Sequence, residues 1–180
     1  MDREVWVPVI GYEKLYEISS RGRVRSLSKT ITDKCGRYRA FFGKILKPKL
    51  DHGYHVVCLY KNTVKRFHRV HRLALGSFLE VCDLHIDHIN GTRNDNSIAN
   101  LRYCTPSQNN ANKRSQKGSI SKFKGVYICE NKKSWYAQIC IEGVKKGLGT
   151  FTNEVDAAKA YDKAAKKLFG QFARLNFNYS

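Results

Sequence analysis

The first eighty or so residues alternate apolar and polar side chains in short runs broken by turn residues. LYEIS, SSRGR and VRSL in succession predict a hairpin, because period-two alternation on both sides of a glycine-bearing turn marks a half-buried strand pair. KILKPKL, YHVVCLY and TVKRFHRV, separated by a DHG turn and a KN turn, predict a β-meander on the same grounds. At HRVHRLALGSFL the spacing becomes helical, with Val70, Leu73, Ala74 and Phe78 able to share one face. This part of the chain reads as a small β-rich body closed by a helix.

The pattern restarts after residues 113–121, KRSQKGSIS, which lack large apolar side chains and read as a linker. FKGVYIC, SWYAQICIE and KKGLGTF predict three strands joined through ENKK and EG turns. A helix follows from Asn153, with Val155, Ala158, Tyr161, Ala165 and Leu168 as its sheet-facing stripe. Glu154 and Asp156 in its first turn, Lys166 and Lys167 in its last and Gly170 beyond suit the helix dipole and C-cap. Between the two bodies, DLHIDH begins as a strand, INGTRNDNSIAN is a long turn and LRYCT returns as a strand. Thr105-Pro106 then opens a helix as N-cap and first helical position. The fold class is α+β.

Charge sharpens this division. The chain carries 33 Lys plus Arg against 15 Asp plus Glu, a formal net charge of +18. Residues 1–20 sum to −2, 21–80 to +12, 81–121 to +2 and 122–180 to +6, so two basic bodies flank a nearly neutral centre. A polyanion such as double-stranded DNA is the expected partner, bound through counterion release. An anionic membrane is the weaker alternative, since the basic segments show no basic amphipathic helix. No apolar run approaches the roughly 20 residues of a membrane helix, and the start MDREVWVPVI lacks the features of a signal peptide. The six cysteines form no CxxC pair, which argues against a thiolate zinc site, and are expected to be reduced thiols.

The central stretch HIDHINGTRNDNSIANLRYCTPSQNN holds the candidate chemistry. Splitting a phosphodiester needs a base to activate water, a group to hold that base, and a divalent cation against phosphate oxygens. His88 suits the base and Asn100 its orienter, while Asp87 and Asn109 offer hard oxygens suited to Mg²⁺ or Mn²⁺. Adjacent strand residues point to opposite faces, so Asp87 and His88 converge only where the strand ends or bulges. Asn90, Asn94 and Asn96 read as turn formers. Three HxxH pairs, His52/His55, His68/His71 and His85/His88, raise a structural zinc site as a lesser alternative; on a strand that spacing sends the two rings to opposite faces.

Asp87-His88, Asn100 and Asn109, with HRLALGSF before them, resemble the HNH nuclease motif in the variant whose last His is Asn, typical of phage and intron-encoded homing endonucleases. The resemblance covers about residues 65–113. It implies a ββα-metal (His-Me finger) module with His88 as general base, Asn100 positioning it, and Asp87 and Asn109 as metal ligands. WVPVIGYEKLYEISSRGRVRSL resembles the modular N-terminal domain found beside such nucleases, over about residues 4–60, and implies phosphate contacts by Arg21, Arg23 and Arg25. KFKGVYICENKKSWYAQICIEGVKKGLGTFTNEVDAAKAYDKAAKKLFGQFARLNF resembles an ethylene-response-factor (Apetala-type) DNA-binding domain. Its sheet would enter the major groove, with Lys124, Tyr127, Trp135, Gln138, Cys140 and Lys145 at the contact positions. Family arginines are absent at Tyr127 and Cys140, and Gly147 stands where the family has tryptophan, so its base specificity does not carry over.

The expected organisation is an N-terminal DNA-binding module (1–60), a nuclease module (61–113), a linker (114–121) and a C-terminal DNA-binding domain (122–180), acting as a monomer that nicks one strand, in the host-cell cytoplasm if phage-encoded. The competing reading is a non-catalytic, sequence-specific DNA-binding regulator with the central module as scaffold.

Overall fold

The computed structural model describes residues 3–115, 118–130 and 133–179. The middle of the expected linker, at 116–117, and of the ENKK turn, at 131–132, lies outside the described residues. The chain divides into two compact units, Met1–Arg102 and Tyr103–Ser180.

In the first unit β1 (Trp6–Pro8), β2 (Tyr16–Ser19) and β3 (Val24–Ser26) form an antiparallel sheet, with Ile18 opposite Val24 as the hairpin pattern predicts. A second hairpin, β4 (Lys29–Thr32) and β5 (Tyr38–Phe41), has no counterpart in the sequence reading. All eight of its strand residues are exposed, so it lacks the buried alternate face that makes a strand visible in sequence. The meander follows as β6 (Lys49–Asp51), β7 (Tyr54–Lys61) and β8 (Val64–Arg69). KILKPKL contributes less strand than expected: before Lys49 only Ile45 bridges, to Arg25, and Pro48 has no N–H to donate.

Helix α1 (Val70–Phe78) packs on β1, β2, β7 and β8. It buries the expected Val70, Leu73 and Ala74, and also His71 and Leu75, against a core that includes Val9, Ile18, Val24, Val57 and Leu59. Phe78 is only half-buried. Each such aliphatic burial stabilises the unit by about 1.5–3 kcal/mol relative to exposure. This body supports β9 (His85–His88), a 3-10 turn (Ile98–Asn100) and the start of β10 (Leu101–Cys104), which pairs with β9.

The second unit opens with α2 (Pro106–Asn112), started by a capping box. Gln108 N donates to the Thr105 hydroxyl at 3.2 Å and Thr105 N donates to Gln108 Oε1 at 2.8 Å. Seven residues are too few for a self-sustaining helix, and the C-terminal module holds this one. Lys124 Nζ donates to the carbonyls of Asn110, at 3.1 Å, and Ala111, Arg174 N donates to Ala111 O at 3.1 Å, and Glu142 N donates to Ser107 Oγ at 3.2 Å. No helix or strand occurs among the described residues of 114–121.

Strands β11 (Val126–Ile128), β12 (Trp135–Ile141) and β13 (Val144–Phe151) form the predicted antiparallel sheet, covered by α3 (Glu154–Phe169). The buried stripe of α3 is Ala157, Ala158, Tyr161, Asp162 and Ala165. Val155 and Leu168, assigned to it from sequence, are exposed near the two ends of the helix. Alanines bring the helix close to the sheet, and Gly125 matches that closeness: a Cβ there would sit 2.1 Å from the Tyr161 ring.

Asp162 is a buried carboxylate 1% exposed. It accepts from Asn176 N at 2.8 Å, Asn176 Nδ2 at 3.0 Å, Phe177 N at 3.0 Å and Tyr179 OH at 3.1 Å, fastening the C-terminal segment to α3. Asn176 in turn accepts from Lys124 N at 2.7 Å. Asp162→Asn replaces an acceptor with a donor inside this knot, and we expect a loss of about 2–3 kcal/mol in urea unfolding. An unchanged midpoint would remove the knot from the account of this unit's stability.

Candidate active site

Asp87 and His88 are the last two residues of β9, and both are buried, at 5% and 6% exposure. They have different partners. Asp87 Oδ2 accepts from Arg102 Nε at 2.9 Å and Nη2 at 2.7 Å, an ion pair across the β9/β10 ribbon. His88 Nε2 lies 3.4 Å from Asn96 Oδ1. The chain turns at once after the strand, Gly91 N donating to His88 O at 2.8 Å and Ile89 N to Asn100 O at 2.9 Å.

Asn100 staples the loop that follows. Its Oδ1 accepts from Asn90 N at 2.9 Å, and its Nδ2 donates to Asn90 Oδ1 at 3.1 Å and Asp95 O at 2.9 Å. Asn90 serves the turn as its residue type suggests, Oδ1 accepting from Thr92 N at 2.8 Å. Asn96 does more than the turn role assigned from sequence. It is 4% exposed, and its side chain lies between His88 and His55, with Nδ2 3.3 Å from His55 Nδ1. A turn-rich stretch with six asparagines does not tell which amide folds inward, and no spacing singles Asn96 out.

Two further rings enclose His88. His71 of α1 lies edge-on with centroids 5.2 Å apart, and Tyr54 of β7 lies at 6.1 Å. Arg69 and Arg93 place guanidinium groups over the Tyr54 ring, at 4.9 and 5.1 Å from its centroid. Burial pushes the His88 pKa below the usual histidine range, against the opposing pull of the Asn96 hydrogen bond and of Asp87 and Asp95. His71 is pushed down further, to about 3, by burial and then by His88, Arg72 and Arg69. Both shifts favour the neutral ring.

A family model described as HNH endonuclease matches residues 67–111, and one described as the NUMOD4 motif matches residues 4–60. The DNA endonuclease I-HmuI of Bacillus phage SP01 is 31% identical over 130 residues, covering 71% of this chain and 67% of that protein. The chain belongs to the HNH endonucleases. A solved structure of I-HmuI aligns over 91% of this chain and 83% of its own, at 28% identity and a TM-score of 0.49. The HNH endonuclease L560 of Acanthamoeba polyphaga mimivirus is 36% identical over 95 residues, and this chain spans 48% of its length. Over 44 residues the chain is 50% identical to an Arabidopsis thaliana protein named for dehydration-responsive element binding (2H), covering 23% of this chain and 28% of that protein.

In this HNH endonuclease the residues expected to meet DNA fall into distinct settings. Arg23 pairs with Glu4, and Arg25 with Glu17 at 2.6 Å, both guanidinium groups standing over Trp6; Arg21 is exposed at the turn. In the second unit Tyr127, Gln138, Cys140 and Lys145 line one concavity with Lys124. Lys124 is committed to the α2 carbonyls, and burial lowers its pKa to about 8. Trp135 departs from the group: it packs against the Val126, Ala137, Ala157 and Ala158 cluster beneath α3, as strand alternation with Ala137 dictates. Asn109 stands in α2, in the second unit.

The buried His71 ring carries a pH signature. Unfolded histidine takes up a proton near pH 6.5, whereas His71 resists protonation until about pH 3. The unfolded chain therefore binds more protons between those limits. Stability is full above pH 6.5 and falls as pH drops, by up to about 1.4 kcal/mol per pH unit from this residue. Urea unfolding at pH 7.5 and pH 5 should show that His71→Phe flattens the decline. An equal slope in the variant would place the proton uptake elsewhere.

Proposed function

We propose that this chain is a site-specific, divalent-metal-dependent DNA endonuclease of the HNH homing type, hydrolysing a phosphodiester with His88 as general base and nicking one strand as a monomer. The observation that carries the reading is His88 itself: a buried imidazole at a strand end, its pKa lowered by burial, beside a buried carboxylate, inside the segment that the HNH family model matches. A neutral ring can accept a proton at physiological pH, which a protonated one cannot.

In the reaction a water oxygen bonds to phosphorus as the ester P–O bond breaks. His88 takes the water's proton, the leaving oxygen is protonated from solvent, and the imidazolium later returns its proton. Asn100 holds the loop behind His88. The side chains assigned to the cation suit Mg²⁺ or Mn²⁺: Asp87 and Asn109 supply hard oxygens, and such ions commonly take one or two side chains plus phosphate and water. Among the described residues no group of three or more His, Cys, Asp and Glu gathers to hold a metal. When bound, the ion would polarise a phosphate oxygen and stabilise developing charge. Arg102 orients Asp87. The assignment of Asn109 rests on motif spacing.

Net charge of +18 favours a nucleic-acid substrate, and I-HmuI is named as a DNA endonuclease. The response-element likeness, together with the resemblance of residues 122–178 to an ethylene-response-factor domain, supports reading of DNA by the β11–β13 sheet, through Tyr127, Gln138 and Lys145. The same likeness favours a second reading, a regulator that binds without cutting. One assay separates them. Chelator-treated protein should leave supercoiled plasmid intact, and added Mg²⁺ or Mn²⁺ should produce relaxed circles. Cleavage that survives chelation would contradict the metal role, and DNA binding without cleavage under any divalent ion would favour the regulator.

A further inference from the structure

The buried amide of Asn96 constrains which nitrogen of His88 carries the proton. Its Nδ2 lies 3.2 Å from the Asn94 carbonyl and 3.3 Å from His55 Nδ1, and its Oδ1 lies 3.4 Å from His88 Nε2. A backbone carbonyl only accepts, so Asn94 O fixes which end of the amide is nitrogen. The oxygen end then faces His88. Because that oxygen only accepts, the hydrogen bond requires a proton on Nε2, and in the neutral ring the lone pair is left on Nδ1. From this we propose that Asn96 is a positioning residue that holds His88 in its Nε2–H tautomer, making Nδ1 the atom that takes the proton from water. The proposal rests on the nuclease reading above.

The surroundings hold Asn96 itself in place. Gly22, at φ +73°, lies so close that a Cβ there would stand 2.6 Å from both Cβ and O of Asn96. Ile98 N donates to Ser20 O at 2.9 Å, tying the same turn to the loop. Asn100 and Asn96 thus divide the work: one fixes the loop, the other fixes the ring. By the same donor logic His55 accepts from Asn96 at Nδ1.

Long-range ¹H–¹⁵N spectra of the full chain labelled with ¹⁵N-histidine, at a pH where His88 is neutral, test the assignment without any cleavage. We expect the wild-type His88 to be the Nε2–H tautomer and Asn96→Ala to show a mixture. In single-turnover cleavage at saturating DNA and Mn²⁺, Asn96→Ala should slow the reaction on the order of 10²-fold or more while its DNA affinity holds, because a wrong tautomer cannot serve as base. Asn96→Asp keeps an acceptor toward Nε2 and should recover both the tautomer and part of the rate. A wild-type His88 protonated on Nδ1 overturns the proposal, as does an Asn96→Ala protein cutting at the wild-type rate. Should Asn96→Ala not fold, the wild-type spectrum decides. Wild-type protein that never cuts DNA would refute the nuclease reading and leave the tautomer assignment to the spectrum.

Discussion

Neighbouring residues on a strand face opposite ways, and at the end of β9 both neighbours are charged or chargeable and both are buried. Each needs its own compensation, because a buried polar group without a partner costs about 1–3 kcal/mol. Asp87 obtains it from the Arg102 guanidinium, one strand over. His88 obtains it by facing the Asn96 amide, with the His71 and Tyr54 rings packed around it and burial favouring its neutral form. The rest of the first unit serves this pair: α1 delivers His71, β7 delivers Tyr54 and His55, and the turn at Gly22 backs Asn96.

The second unit solves a different problem. Its first element, α2, is too short to fix its own position, so the carbonyls at its end are taken by Lys124 and the backbone of Arg174. Lys124 is held through Asn176, and Asn176 through Asp162 on α3. The helix that carries Asn109 is thereby built into the C-terminal module. Lys124, expected at the DNA, serves this internal junction in the structure.

How much of this the sequence disclosed depended on burial and on locality. Elements with a buried alternate face or a helical stripe, such as β7, β8, α1, β12 and α3, stood out because apolar burial writes a period into the chain. The Thr105 cap and its helix were visible because capping chemistry is local. The β4/β5 hairpin was not, since none of its strand residues is buried. Asp87, His88 and Asn100 could be singled out by residue type and spacing, and the HNH family match covers them. Their partners were hidden: Arg102, His71, His55 and Asn96 reach the site through strand pairing and helix packing that no short spacing encodes. Trp135 is half-buried against the cluster beneath α3, on the side its strand parity gives it.

The role of His88 is tested by cleavage with His88→Ala under conditions in which the DNA is fully bound and Mg²⁺ or Mn²⁺ is saturating. The variant should bind DNA as the wild type does while its cleavage falls by about 10²-fold or more, the scale of a lost general base. Wild-type cleavage rates in His88→Ala would contradict that role.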